Sequence, residues 1–179
     1  MRIAARAIAF LFATGLPLVA LGDIITLQIP NIPGDAKFAA NNGLPPDSIR
    51  VLTVGNAVEN TPCDPGGAGG CAGKATFDNV SIIKKFGESS PSLFLAVARG
   101  THFQTATINF YRMKSSAPVK YFTISLDEVT IAKQKWVGNS GAVDSADSED
   151  VEISYARIIM LDVETGARAC YDRRLVSQC

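Results

Sequence analysis

The amino-acid sequence predicts a mainly β protein, a barrel or sandwich with one capping helix. Three observations lead to this fold class: several segments alternate apolar and polar residues, one segment carries helix-boundary residues, and the connections are rich in glycine. The chain has 179 residues, 47% hydrophobic and 19% charged, which suits one globular domain with its own core. Basic and acidic residues number 17 each, so the chain lacks the basic excess of a nucleic-acid-binding protein.

Residues 1–22 have the features of a secretory signal peptide, with cleavage predicted before Asp23. Arg2 and Arg6 form a positive region, residues 7–21 are uncharged and apolar, and small residues precede the cleavage point. A bilayer-spanning helix needs about 20 apolar residues, so a transmembrane anchor is the weaker alternative. The sequence therefore predicts that residues 23–179 form a single domain, secreted or periplasmic, slightly acidic and without membrane contact after cleavage.

The first three strands are predicted over residues 23–30, 49–58 and 75–86. In the first strand Ile25, Leu27 and Ile29 fall on one face, which is the period of a half-buried strand. Residues 31–48 are rich in Gly, Pro, Asn and Asp and predict a long loop.

One short helix is predicted after the third strand, over residues 91–99. Ser90 suits the N-cap, Pro91 the first helical position, and Gly100 the position just past the last turn. Because apolar residues surround this helix almost completely, we expect it to be buried against a sheet or a neighbouring subunit.

Strands resume over residues 105–112, 119–133 and 151–165. The apolar parity of the second of these changes at Asp127 and Glu128, which predicts a β-bulge. The last strand is apolar on both faces, which predicts burial on both sides. The acidic segment 138–150 before it is predicted to be a solvated loop.

Four cysteines lie in two groups: Cys63 and Cys71 in a glycine-rich loop, and Cys170 and Cys179 at the carboxyl end. Export places them in an oxidising compartment, where disulfides are favoured over a zinc site. Three pairings are possible within one chain. Loop-closure entropy favours the two short local bridges, each contributing about 2–3 kcal/mol. Bridges between subunits are the alternative.

No residue set in the sequence predicts catalysis, a metal or a cofactor. The glycine-rich run has Ala68 and Ala75 where a phosphate-binding loop needs Gly and Ser or Thr. His102 is the single histidine and no nucleophile elbow accompanies it, so it is predicted to be structural. The acidic residues 144–150 lack the EF-hand spacing for Ca²⁺. The sequence therefore predicts that the protein is not an enzyme.

From Gly66 onward, four stretches in order resemble the Hcp (haemolysin-coregulated protein) family, the tube proteins of type VI secretion. These stretches are the glycine-rich loop and strand at 66–86, SPSLFLAVARGTHFQTATINF at 90–110, and residues 119–141 and 150–163. The residues of the second stretch that match the family's helix motif are Pro91, Leu93, Gly100, His102 and Phe103. With the first strand included, the resemblance covers residues 23–164.

The resemblance implies a small antiparallel β-barrel with one short flanking α-helix, assembling into hexameric rings that stack into a hollow tube. It also implies a spike protein and secreted effector proteins as partners, cargo in the tube lumen, and no catalytic residue or cofactor. The family's extended loop reaches the neighbouring ring, and the residues that match it are Pro65, Gly66, Gly67, Gly69, Gly70 and Gly73.

Two features set this chain apart from the tube proteins that it resembles: the signal peptide and the four cysteines. The leading hypothesis is therefore an exported ring or tube subunit that is stabilised by disulfides. The alternative is a periplasmic or extracellular carrier, a ligand-binding β-barrel that belongs to no secretion machine. A secreted hydrolase that uses His102 is the third hypothesis.

Overall fold

The computed structural model describes residues 23–35, 43–60, 75–114, 117–138 and 147–179, with Val137 described by its backbone alone. Within these residues the chain forms twelve strands and one helix. They are β1 (Ile24–Gln28), β2 (Ile49–Val51), β3 (Thr53–Gly55), β4 (Val58–Asn60), β5 (Ala75–Phe77), β6 (Val80–Lys85), α1 (Ser89–Arg99), β7 (His102–Lys114), β8 (Ala117–Val137), β9 (Ser148–Ser154), β10 (Arg157–Asp162), β11 (Arg168–Asp172) and β12 (Ser177–Gln178).

The main sheet closes on itself as an antiparallel barrel. β1 pairs with β2 and β7, β7 with β8, β8 with β9, and β9 with β6. β6 also pairs with β3, which follows β2 after the single residue Leu52, whose N–H donates to the Ile83 carbonyl at 2.7 Å. The ladders thus run from β1 round the sheet and back to β1. The predicted mainly β fold, with antiparallel sheets and one helix, is confirmed.

The remaining strands lie outside this circuit. β10 pairs with β8 on one side and with β11 on the other, and β12 pairs with β11. β4 and β5 form a separate two-stranded hairpin. The barrel therefore carries two additions, a hairpin and a C-terminal sheet extension.

The barrel encloses one apolar core. Alternate side chains of a strand point to opposite faces, so each strand contributes every second residue to the interior. Leu27, Ile108, Leu126, Val151 and Ile153 have less than 1% of their surface exposed. From α1, which packs against β8, Leu93 and Ala96 join the same core.

β8 is long because it pairs with two different strands along the same edge. Its first half pairs with β10 and its second half with β9, and Glu128 lies between the two pairings. Glu128 has a left-handed backbone, with φ of 54°. The register with β7 runs unshifted from Phe103–Val129 to Thr105–Asp127, so the β-bulge predicted at Asp127 and Glu128 is wrong. The apolar parity changes instead at the left-handed Glu128, where β8 changes its partner strand.

The helix begins earlier than predicted and ends where predicted. Glu88 is its N-cap, so the assignment of Ser90 as N-cap and Pro91 as the first helical residue is wrong. The Ser90 hydroxyl instead accepts the Gly87 N–H at 3.0 Å and contacts buried charges of the core. Gly100 ends the helix in the left-handed conformation, with φ of 61°, as the sequence predicts.

Three predicted segments have other bounds in the structure. Residues 49–58 hold β2, β3 and the start of β4, and residues 75–86 hold β5 and β6. Residues 151–165 turn a corner between β9 and β10, so the prediction of one long strand is wrong. At this corner the Ala156 N–H donates to the Asp127 carbonyl at 3.0 Å, a tertiary contact that local sequence does not encode. β9 also begins at Ser148, inside the predicted loop.

Candidate assembly interface

The glycine-rich segment lies in the sequence between the two strands of a hairpin that is separate from the main sheet. β4 and β5 pair with each other, from Val58 opposite Phe77 to Asn60 opposite Ala75. Residues 61–74 connect these strands and lie outside the described residues. They include all six residues predicted to contact a neighbouring ring, Pro65, Gly66, Gly67, Gly69, Gly70 and Gly73, and also Cys63 and Cys71.

Two side chains of the C-terminal extension hold the hairpin against the barrel. The Tyr171 ring stacks on the Phe77 ring, with centroids 4.7 Å apart. The Arg173 guanidinium donates through Nη2 to the Phe77 carbonyl and through Nη1 to the Tyr155 carbonyl, both at 3.0 Å. It also lies over the Tyr155 ring, 4.7 Å from the centroid. The orientation of the hairpin is thus set partly by residues more than 90 positions away in the sequence.

Asn56 fixes the base of the same hairpin. Its Nδ2 donates to the Asp78 carbonyl at 3.0 Å and to the Tyr155 hydroxyl at 3.3 Å. The Asp78 N–H in turn donates to the Ala57 carbonyl at 3.0 Å. Tyr155 therefore connects the base of the hairpin to the corner between β9 and β10.

One disulfide is present among the described residues, between Cys170 and Cys179. Their Cα atoms are 5.2 Å apart, and the Cys179 N–H donates to the Cys170 carbonyl. This bridge is one of the two local pairs that loop-closure entropy favours. It closes the end of the chain onto β11, which carries Tyr171.

An apolar groove lies between the hairpin and the outer sheet. Its floor comes from β10 and β11 and its wall from the hairpin. It is lined by Val58, Phe77, Ile158, Met160, Ala169, Cys170, Tyr171 and Gln178. Val58 is about half exposed. Exposed contiguous apolar surface of this kind is typical of protein contact sites.

A second apolar surface lies on the outer side of α1. Phe94 and Trp136 are 48% and 57% exposed, and their ring centroids are 5.8 Å apart. Leu95 beside them is 44% exposed. The helix therefore buries one side in the core and leaves its other apolar side open. The sequence predicted that the helix is buried against a sheet or against a neighbouring subunit. The sheet alone does not bury the whole helix.

A buried ion cluster fixes the start of this helix. Lys84 and Glu149 are both fully buried, and the Lys84 Nζ lies 2.7 Å from the Glu149 Oε1 and 3.0 Å from the Asp35 Oδ2. Asp35 also accepts the Ser89 N–H at 2.6 Å and the Ser89 hydroxyl at 2.8 Å. A carboxylate that accepts hydrogen bonds at a helix N-terminus is favourable there. The cluster thus connects α1 to β6, β9 and the segment before residue 36.

The same cluster offers no hydrolytic chemistry. The Lys84 Nζ is within hydrogen-bond distance of four oxygens: those of Glu149, Asp35, the Ser90 hydroxyl and the Lys85 carbonyl. The Lys84 Nζ is therefore engaged entirely within the cluster. The Ser90 hydroxyl in turn donates to the Glu149 Oε1 at 2.7 Å. This serine and lysine form part of a structural network and not of a nucleophile–base pair.

His102 lies on the surface at the start of β7. Its Nε2 is 3.4 Å from the Glu128 Oε2, and both side chains are about half exposed. The residues around it are Ser154, Tyr155, Ala156, Arg173 and Arg174. Tyr155 and Arg173 are already engaged in holding the hairpin. This arrangement gives His102 a surface ion pair when it is protonated, and no structural support for the hydrolase hypothesis.

Burial raises the pKa of Tyr111 and of Tyr121, whereas the lowered carboxylate pKa values arise from local ion pairs and turns. The hydrogen bond from Lys133 holds the pKa of Glu152 below its usual range. Backbone N–H groups of Thr165 and Glu164 do the same for the pKa of Asp162. The Arg174 side chain and the Leu175 N–H lower the pKa of Asp172. These are groups that shape turns and strand edges.

Two further classes of site can be considered within the described ranges. Their His, Cys, Asp and Glu side chains form no group of three or more that is arranged to hold a metal ion. No helix within them has the length and hydrophobicity to cross a membrane.

The five residues of the helix motif lie along one helix, turn and strand. Leu93 and Phe103 are buried in the core and Gly100 makes the turn, whereas Pro91 and His102 are exposed. These positions indicate a role in the local fold of the helix, turn and strand and do not converge on one binding site. Their assignment as functional residues stays a prediction.

Neither the buried Lys84 cluster nor the contacts that anchor the hairpin were predicted from the sequence, although the sequence pattern indicated the first. Val80, Ile82 and Lys84 share a parity in β6, so alternation places the Lys84 side chain inside the barrel. A lysine at an inward position predicts a buried carboxylate partner. The anchoring roles of Tyr171 and Arg173 had no comparable signal, because no strand was predicted in the C-terminal segment.

Comparisons with known proteins agree with this fold. The family model described as "Type VI secretion system effector, Hcp" matches residues 26–161, more than half of the chain. Hcp1 from Salmonella typhimurium is 21% identical, with a TM-score of 0.71, and the match covers 88% of this chain and 99% of that one.

Two further solved structures are similar. A type six secretion system protein is 14% identical over 88% of this chain and 100% of its own, with a TM-score of 0.75. A variant of Hcp1 from the E. coli EAEC 042 pathovar is 21% identical over 84% of this chain and 97% of its own, with a TM-score of 0.67. No curated protein matches the sequence.

Barrel, flanking helix and family match together define a type VI secretion tube or effector protein. The chain belongs to the Hcp family. Proteins of this family are structural or secreted tube proteins and not enzymes, which agrees with the predicted absence of catalytic residues.

Proposed function

We propose that this protein is an exported Hcp-family subunit that assembles into rings or tubes, with disulfides stabilising the subunit. The observation that carries the proposal is the family match over residues 26–161 on a barrel with two uncovered apolar surfaces. Large exposed apolar patches are unfavourable in a monomer, and contacts between subunits cover them. Six subunits per ring, cargo in the lumen, and spike and effector partners follow from the resemblance and belong to the proposal.

The direct test is the assembly state of the protein without residues 1–22. We expect ring-shaped particles by electron microscopy, and a mass of several subunits by light scattering, at micromolar concentration. Monodisperse monomers at high concentration, with and without reductant, would contradict the proposal. Non-reducing gels give the location of the disulfides, because bridges between subunits produce ladders that collapse on reduction.

The uncovered surface of α1 provides a sharper test. Replacing both Phe94 and Trp136 by Ser removes exposed aromatic surface and leaves the buried Leu93 and Ala96 unchanged. If this surface lies between subunits, the variant stays folded but shifts to smaller species. Leu175→Ser is the matched control, because Leu175 is 73% exposed and far from α1 in sequence. Equal assembly of both variants would exclude the α1 surface from the interface.

The export step has its own measurement. We propose that residues 1–22 are a signal peptide, based on the charged, apolar and small-residue regions of that segment. The mature protein is then expected to begin at Asp23, which N-terminal sequencing or intact mass of the exported protein determines. Retention of residues 1–22 in that protein would argue against cleavage. Recovery of the protein only from the cytoplasm would argue against export.

A further inference from the structure

We propose that the Cys170–Cys179 disulfide is a redox-sensitive lock on the hairpin whose strands flank the glycine-rich segment. Breaking the bridge loosens the hairpin made of β4 and β5 while the barrel stays closed. The lock is a property of the single subunit. Only its consequence for contacts between rings rests on the proposed function.

The hairpin depends on the segment that the disulfide closes. Within the described part of the chain its ladder is internal to β4 and β5, and its side-chain anchors include Tyr171 and Arg173. Both anchors lie between Cys170 and Cys179 in the sequence. The bridge therefore closes the segment that carries both anchors, adding to the β10–β11 ladder and to the Arg173 N–H bond to the Ala156 carbonyl.

Besides the disulfide, the end of the chain is held by a short ladder and by the Asp172 Oδ1, which accepts the Arg174 N–H at 2.9 Å and the Leu175 N–H at 3.1 Å. β12 has two residues and pairs with β11 at Gln178 opposite Tyr171 and at Ser177 opposite Asp172. Val176 before it has a left-handed backbone, with φ of 53°, which is unfavourable for a β-branched residue. A strained turn and a two-residue ladder favour opening once the covalent link is gone.

Opening of β12 changes the surroundings of Tyr171. With β12 in place, β11 has neighbours on both edges, β10 and β12. Without it β11 becomes an edge strand, and Gln178 leaves the groove in which Phe77 meets Tyr171. Loss of order at Tyr171 and Arg173 then weakens two contacts of the hairpin. The Asn56 contacts remain, so the hairpin loosens and does not detach.

The chemistry is a thiol–disulfide exchange that a dithiol can carry out. Cys179 is exposed and Cys170 is buried, so a thiolate of the dithiol attacks the Cys179 sulfur and Cys170 leaves as a thiolate and takes a proton. The second thiol of the dithiol then displaces Cys179, which also takes a proton. The protein gains two thiols, and the dithiol becomes a cyclic disulfide.

Hydrogen exchange measured by mass spectrometry tests the lock. In the full chain without residues 1–22, reduction is expected to speed amide exchange in residues 168–179 by about ten- to a hundredfold. Residues 56–60 and 75–78 are expected to exchange at least about threefold faster. The ladder between β6 and β9 serves as the internal control and keeps its rate.

Two variants separate this bridge from the other cysteines. Cys170→Ala with Cys179→Ser should show the fast exchange without reductant, whereas Cys63→Ala with Cys71→Ala should still need reductant. Unchanged exchange of the hairpin in the first variant, with fast exchange of residues 168–179, overturns the proposal. If the protein forms rings but amide exchange of the hairpin stays slow after the bridge is lost, the lock is contradicted and the proposed assembly is not. A hairpin that loosens in a protein that never forms rings contradicts the proposed assembly alone.

Discussion

Lys84 and Glu149 form an ion pair inside the barrel, with 2.7 Å between Nζ and Oε1 and no exposed surface on either side chain. Removing one partner of a buried pair leaves an uncompensated charge, which is far more costly than losing a surface pair. We therefore expect the stability of the protein to be sensitive to substitution of Lys84.

The first prediction concerns that pair. Lys84→Met leaves Glu149 and Asp35 without their cation, and we expect the free energy of unfolding to fall by about 3–5 kcal/mol. Urea denaturation measures the change. Lys133→Met is the matched control, because the Lys133–Glu152 pair is largely exposed and its loss should have a much smaller effect. Equal losses for the two variants would contradict the proposed importance of the buried cluster.

The second prediction concerns the apolar interior. Leu126→Ala creates a cavity in a fully buried site, which should lower the free energy of unfolding by about 2–5 kcal/mol. Leu175→Ala, at an exposed position, should change it by less than about 0.5 kcal/mol. Denaturant midpoints at constant slope give both values. A small loss at Leu126 would mean that the core is not packed as described.

The third prediction concerns the end of α1. Gly100→Ala places a Cβ on a left-handed backbone and should cost about 1–2 kcal/mol in stability. The control is Gly55→Ala in β3, where φ is not positive and a Cβ meets no atom within 4 Å. That change should be neutral or slightly stabilising. Thermal unfolding compares the two, and equal melting temperatures would speak against a left-handed Gly100.

The fourth prediction concerns pH. The pKa of Asp172 is lowered in the folded state, so its contribution to stability is complete above the unfolded value, about 3.9. That contribution is lost as the pH falls through the lowered folded pKa. Asp172→Asn should therefore reduce the melting temperature at pH 7 and have a smaller effect at pH 3. A constant difference between the two pH values would show that the charge of Asp172 does not matter.

The presence of most barrel strands could be predicted from the sequence, because the alternation of apolar and polar residues indicates which side of a strand is buried. Leu27 and Ile29 share a parity in the sequence, and both are buried in the structure. Gly100 could be predicted as a helix terminator for a similarly local reason, since its lack of a Cβ permits the left-handed turn. The same alternation carried a signal for an inward Lys84 side chain, which was not used in the predictions from sequence, and its partner Glu149 lies 65 residues away.

The corner at Tyr155 and Ala156 could not be predicted, because it contains neither glycine nor proline and is set by a hydrogen bond to Asp127. The C-terminal strands were missed for a related reason. β11 is short, and its order comes from pairing with β10 and from the bridge at Cys170. The anchors of the hairpin, Tyr171 and Arg173, therefore lie in a segment whose structure is determined by distant partners.

Because β9 lies far along the chain, the barrel can close only after most of its strands have been synthesised. β1 leaves the ribosome early, but the ladders from β9 to β6 and β8 need residues up to Ser154. At about 5–20 residues per second, the interval between these strands is on the order of 10 s. Folds dominated by such non-local contacts also fold slowly, in milliseconds to seconds. The growing chain therefore has no complete barrel in the interval between the synthesis of β1 and that of β9.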